Sequence, residues 1–228
     1  MNIAGLQKMT LLDYPGKIAC TVFLPGCNLR CPFCHNASLV LPERISAPMT
    51  QDELLKFLKK RQGCLDGVCV TGGEPTLHKE LPQLLAAIRQ LGFSVKLDTN
   101  GTRPEVLKAL LDAGLIDYVA MDIKNSPAQY TRTCGGIDVL PQVSESIHLL
   151  MSSGVDYEFR TTVLHPYHTP DDLAAIGQWI RGAKQYFIQA FVDSGDLIGT
   201  GEAMTADELQ QLLQAVTPII PNTKLRGV

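Results

Sequence analysis

Apolar positions along the 228-residue chain follow two alternating patterns. Short runs rich in apolar and β-branched residues, bounded by Gly, Pro, Asn or Asp, predict strands over 18–24, 67–71, 94–98, 118–123, 158–163 and 186–190. Between them, apolar residues recur at helical spacing. Thr50-Gln51-Asp52-Glu53 is a capping box ahead of Leu54, Leu55 and Leu58. Leu81, Leu84, Leu85, Ile88 and Leu91 trace one face that ends at Gly92, and Val106, Leu107, Leu110 and Leu111 do the same before Gly114. Val143, Ile147 and Leu150 precede Gly154, and Leu173, Ile176 and Ile180 follow Thr169-Pro170. Thr205-Ala206-Asp207-Glu208 caps a last helix with Leu209, Leu212, Leu213 and Val216 on its inner side.

Strand and helix thus repeat roughly every 25 to 35 residues, as successive βα units do. Six such units define an α/β fold with a parallel sheet, wound open or curled into a barrel. In both architectures chemistry gathers at the C-terminal ends of the strands. No low-complexity tract or composition shift marks a linker, so one domain over 1–228 is expected, with 1–17 as an extension ahead of the first strand.

Composition narrows the function classes. Twenty Lys and Arg against 23 Asp and Glu give a formal charge of -3, which supplies no field for nucleic acid. The early apolar stretch 18–24 is far too short to span a bilayer, and 1–13 does not read as a signal peptide, so the expected compartment is the cytosol. Seven cysteines, an odd number, argue against a disulfide framework.

Three of those cysteines, Cys27, Cys31 and Cys34, crowd into Gly26-Cys27-Asn28-Leu29-Arg30-Cys31-Pro32-Phe33-Cys34-His35-Asn36, just past the first strand. Thiolates are the soft ligands that iron–sulfur clusters and zinc prefer. The spacing lets one loop wrap three sulfurs around one site and leaves a fourth position without a local thiolate, as in open, reactive metal sites. A structural zinc site, completed by His35 or a distant cysteine, remains the alternative, with a zinc-stabilised binding module as its functional consequence.

Other strand ends carry further candidates. Thr71-Gly72-Gly73-Glu74-Pro75 follows the second strand; paired glycines allow a close backbone approach, and Glu74 offers an acceptor for an ammonium group, although the segment also reads as a tight turn. Asp98 closes the third strand before an Asn100-Gly101 turn. At the end of the fourth, alternation puts Asp122 and Lys124 on one face and Ile123 on the other, with a surface ion pair as the plain reading. Arg160 lies inside the fifth strand, where a structural salt bridge is the plain reading. Cys20 and Cys69 read as small core residues, Cys64 and Cys134 as isolated loop cysteines, and Trp179 as packing. His165 and His168 follow the fifth strand, read as a solvated loop or as contacts to a substrate or partner.

The cysteine spacing, with the aromatic Phe33 before the last cysteine, resembles the signature of the radical S-adenosylmethionine superfamily. The resemblance implies a partial (β/α)6 TIM-like barrel over 18–228, a [4Fe-4S] cluster on Cys27, Cys31 and Cys34, and S-adenosylmethionine on the fourth iron. It also implies cofactor contacts at Phe33, His35, Gly72, Gly73, Glu74, Asp98, Asp122, Lys124 and Arg160. Cys34-His35-Asn36 and the opening segment Gly5 to Lys17 are similar to the activating enzymes of glycyl-radical enzymes, closest to those of anaerobic ribonucleoside-triphosphate reductase and of pyruvate formate-lyase. The implied substrate is a glycine Cα–H of a partner protein, and the implied electron donor a flavodoxin or ferredoxin. Residues 37–48 contain no cysteine, so no auxiliary cluster insert is expected. Pyruvate formate-lyase activators have a histidine near the sixth strand, where this chain reads Gln189-Ala190-Phe191-Val192. The alternative within the superfamily is an enzyme acting on a small molecule, such as a ring-contracting synthase of modified-nucleoside precursors.

Overall fold

The computed structural model describes residues 1–34, 36–44 and 49–227. In chain order the strands are β1 (Asn2–Ile3), β2 (Gly5–Thr10), β3 (Ala19–Leu24), β4 (Met49–Thr50), β5 (Gly67–Gly72), β6 (Ser94–Thr99), β7 (Tyr118–Asp122), β8 (Asp156–Val163), β9 (Tyr186–Ala190) and β10 (Thr223–Arg226). The helices are α1 (Ala37–Val40), α2 (Gln51–Lys59), α3 (Leu81–Gln90), α4 (Pro104–Asp112), α5 (Tyr130–Thr133), α6 (Leu140–Ser152), α7 (Pro170–Trp179) and α8 (Ala206–Val216). All six strands and six helices expected from periodicity are present, with ends displaced by a residue or two. Neighbouring strands run in the order β6-β5-β3-β2 in one part of the chain and β10-β9-β8 in the other.

The chain divides into two compact units. The first comprises 1–28, 38–99 and 103–120; the second comprises 29–37, 100–102 and 121–228. In the first unit β3, β5 and β6 pair in parallel. Their apolar positions are buried, among them Val22, Val68, Val70, Val95 and Leu97. Helix α3 adds the fully buried Leu81, Leu84, Leu85 and Ile88. Each such side chain contributes about 1.5–3 kcal/mol of burial free energy. The capping box at Thr50 forms as expected: Thr50 accepts the Glu53 N–H at 3.3 Å, and Glu53 accepts the Thr50 N–H at 2.9 Å.

The segment expected to be an extension contains β2, which pairs antiparallel with β3 at the sheet edge. Its burial pattern does not alternate, so periodicity gave no signal for it. Behind it, Asp13 accepts the Thr21 hydroxyl at 2.5 Å, and Tyr14 packs on Tyr118 with ring centroids 6.1 Å apart.

In the second unit β8, β9 and β10 pair in parallel, with Phe159 and Ile188 in the core. The short β10 also escaped the sequence pattern. It is fixed by Arg226, which donates to both carboxylate oxygens of the buried Glu158 at 2.7 and 3.0 Å and lies over the Phe187 ring. Helices α7 and α8 pack on each other; α8 opens with the expected capping at Thr205, and α7 with a capping box at Thr169 that the sequence reading does not single out.

Candidate functional site

In the first unit, Cys27 follows β3, Gly72 ends β5 and Gly73 follows it. Gly72 adopts φ +123, and a Cβ there would lie 2.2 Å from the Leu24 carbonyl oxygen. A Cβ on Gly73 would lie 2.0 Å from the Gly26 carbonyl oxygen. Backbone bonds close the gap: Gly73 N–H donates to Leu24 O at 2.9 Å and Glu74 N–H to Gly26 O at 2.8 Å. His78 Nε2 donates to Pro25 O at 2.8 Å. The glycines therefore let this turn zip onto the backbone that carries Cys27, a partner the sequence did not identify.

Glu74 is fully buried rather than presented to solvent. Its Oε1 accepts the Thr76 N–H at 3.0 Å, the Thr76 hydroxyl at 2.5 Å and the Thr99 hydroxyl at 2.8 Å. It thereby caps the 3₁₀ turn Pro75–Leu77 and ties it to the end of β6. Asp98 is held by Lys96, whose ammonium bonds Asp98 Oδ1 directly and the Cys69 sulfur at 3.7 Å. Lys96 is 2% exposed. A buried ammonium survives only when its charge is matched, and Asp98 supplies the match. Cys69 is thus buried as expected, yet it also touches a charged pair.

In the second unit, a tight turn carries the other two cysteines: Cys34 N–H donates to Cys31 O at 3.0 Å. Gly199 N–H donates to Pro32 O at 2.7 Å and Ala37 N–H to Asp196 O at 3.2 Å, so both sides of the turn are anchored. Phe33 is buried, its ring 5.6 Å from Tyr167 and 6.0 Å from His168. His35 lies outside the described residues.

His168 corrects the expectation of a solvated loop. It is 3% exposed, its Nε2 donates to Lys124 O at 2.9 Å, and its Nδ1 accepts the Leu164 N–H at 3.4 Å. His165 does stand near solvent, 3.1 Å from the Glu208 carboxylate. Trp179 packs edge-on against Tyr130, as expected of a packing residue.

Asp122, Lys124 and Arg160 meet. Lys124 Nζ lies 3.0 Å from Asp122 Oδ2, and Arg160 Nε donates to Asp122 Oδ1 at 2.9 Å. Their side chains are 29, 22 and 14% exposed, so the pair expected at the surface is a half-buried three-residue network. Burial opposes the charge of Asp122, but Arg160 and then Lys124 outweigh it and hold the carboxyl well below the usual range. Burial likewise opposes Lys124, while Asp122 and then the Cys31 sulfur hold its pKa above the ordinary value.

The same charge acts on the thiols. The Cys31 pKa is brought down to about 7, first by a hydrogen bond from Cys134, against burial, and with help from Lys124. Burial pushes the Cys34 thiol up. All seven cysteines are free of disulfides. Cys134, expected to be an isolated loop residue, is fully buried beside Cys31. Cys20 is a core residue and Cys64 is exposed.

Among the described residues, no group of three or more His, Cys, Asp or Glu side chains converges on a single ion. A tetrahedral zinc would require sulfurs within about 4 Å of one another. Thiolates around an iron–sulfur cluster bind separate irons, so that convergence is not needed. Among the described residues no helix is long and apolar enough to cross a membrane.

A model of the Radical SAM superfamily matches residues 21–180. A provisionally named glycyl-radical enzyme activating enzyme of Methanocaldococcus jannaschii is 34% identical over 197 residues, which cover 83% of this chain and 79% of that protein. A 7-carboxy-7-deazaguanine synthase of Thermococcus kodakarensis is 31% identical over 158 residues, covering 61% of each. Among solved structures, Streptococcus suis SuiB bound to its precursor peptide SuiA superposes with a TM-score of 0.72 at 15% identity. That match covers 91% of this chain and 48% of SuiB, so the chain spans about half the length of that structure, and the likeness concerns the fold alone.

Proposed function

This chain belongs to the radical SAM superfamily, and we propose that it is an activating enzyme that removes a hydrogen atom from a glycine of a partner glycyl-radical enzyme. The observation that carries this reading is the likeness to the activating enzyme of M. jannaschii, which extends over most of both proteins.

The donor set fits the family's cofactors, a [4Fe-4S] cluster and S-adenosylmethionine. Cys27, Cys31 and Cys34 form no disulfides, are soft donors suited to iron–sulfur chemistry, and leave one corner of a cluster without a protein ligand. When bound, the cluster and S-adenosylmethionine supply an electron and a carbon radical able to take hydrogen from an unactivated C–H bond.

The chain's own residues prepare the place. Metal binding requires deprotonated thiols, and the Lys124 charge favours the thiolate of Cys31. Asp122 holds Lys124 and Arg160 side by side, and two neighbouring cations suit a carboxylate such as that of S-adenosylmethionine. The turn at Gly72 and Gly73 offers backbone groups without side-chain obstruction. With the Glu74 side chain turned inward, an ammonium group would meet that backbone first. Phe33 is locked by Tyr167 and His168 and holds the turn between Cys31 and Cys34. A low-potential flavodoxin or ferredoxin is the electron donor in this reading, and anaerobic ribonucleotide reductase the partner.

The decisive experiment reconstitutes the cluster anaerobically, adds reductant and S-adenosylmethionine, and offers candidate partners. A glycyl-radical signal in electron paramagnetic resonance supports the proposal. Abortive cofactor cleavage with every glycyl-radical partner rejects it. The likeness to the deazaguanine synthase favours a second reading, a small-molecule substrate; turnover of a pterin-like substrate without any protein partner would establish it instead.

A further inference from the structure

Lys124 stands two residues past the strand that delivers it. Strand β7 ends at Asp122, and Ile123 is tied to β8: its N–H donates to Arg160 O at 2.8 Å, and its carbonyl accepts the Thr161 hydroxyl at 2.8 Å. The backbone of Lys124 is held by two side chains instead. Its N–H donates to Tyr130 Oη at 3.4 Å, and its carbonyl oxygen accepts from His168 Nε2 at 2.9 Å. Backbone groups beyond a strand end need partners from elsewhere, and these two residues supply them. Tyr130 is fully buried, with Trp179 edge-on at 5.6 Å.

His168 is fixed as firmly. Its Nδ1 accepts the Leu164 N–H at 3.4 Å, so in the neutral ring Nε2 carries the proton given to Lys124 O. The adjoining Tyr167 carbonyl accepts the side-chain N–H of the fully buried Asn125 at 2.8 Å. The His168 ring also meets Phe33 at 6.0 Å and 70°. One imidazole therefore touches both the peptide that carries Lys124 and the aromatic side chain of the turn between Cys31 and Cys34.

We infer that His168 is a positioning residue: it fixes the Lys124 backbone relative to the cysteine turn, so that the ammonium meets a cofactor carboxylate already in place. The inference deepens the proposed function and rests on its assignment of Lys124 to the S-adenosylmethionine site. A lysine on a loose backbone loses conformational freedom when it binds, and that loss subtracts from affinity. Here the backbone is held by Tyr130 and His168, and the ammonium by Asp122 at 3.0 Å, before any ligand arrives.

The test compares two amides. The side-chain nitrogen of His168→Gln reaches the place of Nε2, whereas that of His168→Asn reaches only the place of Nδ1. Both variants are made in the wild-type and the Lys124→Ala chain and reconstituted anaerobically with iron and sulfide. Iron and sulfide per chain are counted, and S-adenosylmethionine is titrated calorimetrically. His168→Asn is expected to hold a full cluster and bind the cofactor about tenfold more weakly than wild type, as for one lost hydrogen bond. His168→Gln should recover most of that affinity. In the Lys124→Ala chain the two amides should bind alike, because residues acting through one contact are not additive. Wild-type affinity in His168→Asn overturns the inference, as does a His168→Gln no tighter than His168→Asn. A loss of equal size in the Lys124→Ala chain, or a His168→Asn protein that fails to fold or to take up the cluster, makes His168 a residue of the fold alone and overturns it too. Wild-type affinity in Lys124→Ala by itself removes Lys124 from the site, and the reading beneath the inference falls whatever the His168 variants do.

Discussion

Arg160 reaches Asp122 through two nitrogens, Nε and Nη2, both 2.9 Å from Oδ1, and so leaves Oδ2 to Lys124 at 3.0 Å. One carboxylate thus orients two cations from the end of β7, one oxygen to each. Ile123 N–H donates to Arg160 O at 2.8 Å, so backbone pairing fixes the same register that the side chains use. The network is half-buried, where a charge pair is screened less than at the surface.

Replacing Lys124 with Ala removes one cation and leaves the Asp122–Arg160 pair in place. Affinity for S-adenosylmethionine is expected to fall about tenfold or more, corresponding to roughly 1.4 kcal/mol, while iron content stays at the wild-type level. Calorimetric titration of the reconstituted protein reads the first quantity, and unchanged affinity would remove Lys124 from the binding site.

Cys34→Ala should abolish assembly of the four-iron cluster, because two thiolates of the motif cannot hold it. Iron and sulfide analysis with the visible absorption of the reconstituted variant checks this. A variant that retained full cluster and cofactor cleavage would show that Cys34 is not a ligand.

Gly73→Ala forces a Cβ to within 2.0 Å of the Gly26 carbonyl oxygen, a backbone atom that cannot swing away. The turn must move, at a cost of about 1–3 kcal/mol. Because Gly26 precedes Cys27, cluster occupancy should fall together with the urea midpoint. A stable variant with full occupancy would mean that the loop carrying Cys27 yields without consequence.

At Glu74 the two obvious replacements should separate. Glu74→Gln keeps a carbonyl oxygen for the Thr76 N–H and the two hydroxyls, and is expected to cost about 1 kcal/mol or less. Glu74→Ala leaves those buried donors unsatisfied and should cost about 2–4 kcal/mol. Equal denaturation midpoints for the two variants would contradict the capping role.

His168 makes stability depend on pH in an accessible range. Burial holds its pKa below the ordinary value, against the hydrogen bonds to Lys124 and Leu164. In the unfolded chain the imidazole titrates near about 6.5. The unfolded state therefore takes up the proton first as the pH falls. The contribution is fully present above about 6.5 and is lost as the pH drops from there towards the lower folded value. Urea midpoints of wild type should decline from pH 7.5 to pH 5 more steeply than those of His168→Gln; parallel curves would show that folding leaves the affinity of His168 for its proton unchanged.

The sequence by itself determined whatever depends on near neighbours. Capping boxes at Thr50, Thr169 and Thr205 and apolar faces such as Leu81–Ile88 set the helices. Hydrophobic runs set six strands, and the spacing of Cys27, Cys31 and Cys34 set the candidate chemistry, because periodicity and loop length are local properties. Tertiary structure decided whatever depends on residues distant in the chain. Strand β2 exists because β3 offers it an edge, and β10 because Glu158 receives Arg226. Lys96 is buried because Asp98 and Cys69 meet it, Glu74 faces inward because Thr99 stands on the neighbouring strand, and Cys134 is enclosed because the turn after α5 folds against Arg30. None of these pairings has a period. Each exists only where the folded backbone brings a donor to an acceptor that burial has cut off from water, and a one-dimensional pattern does not encode that condition.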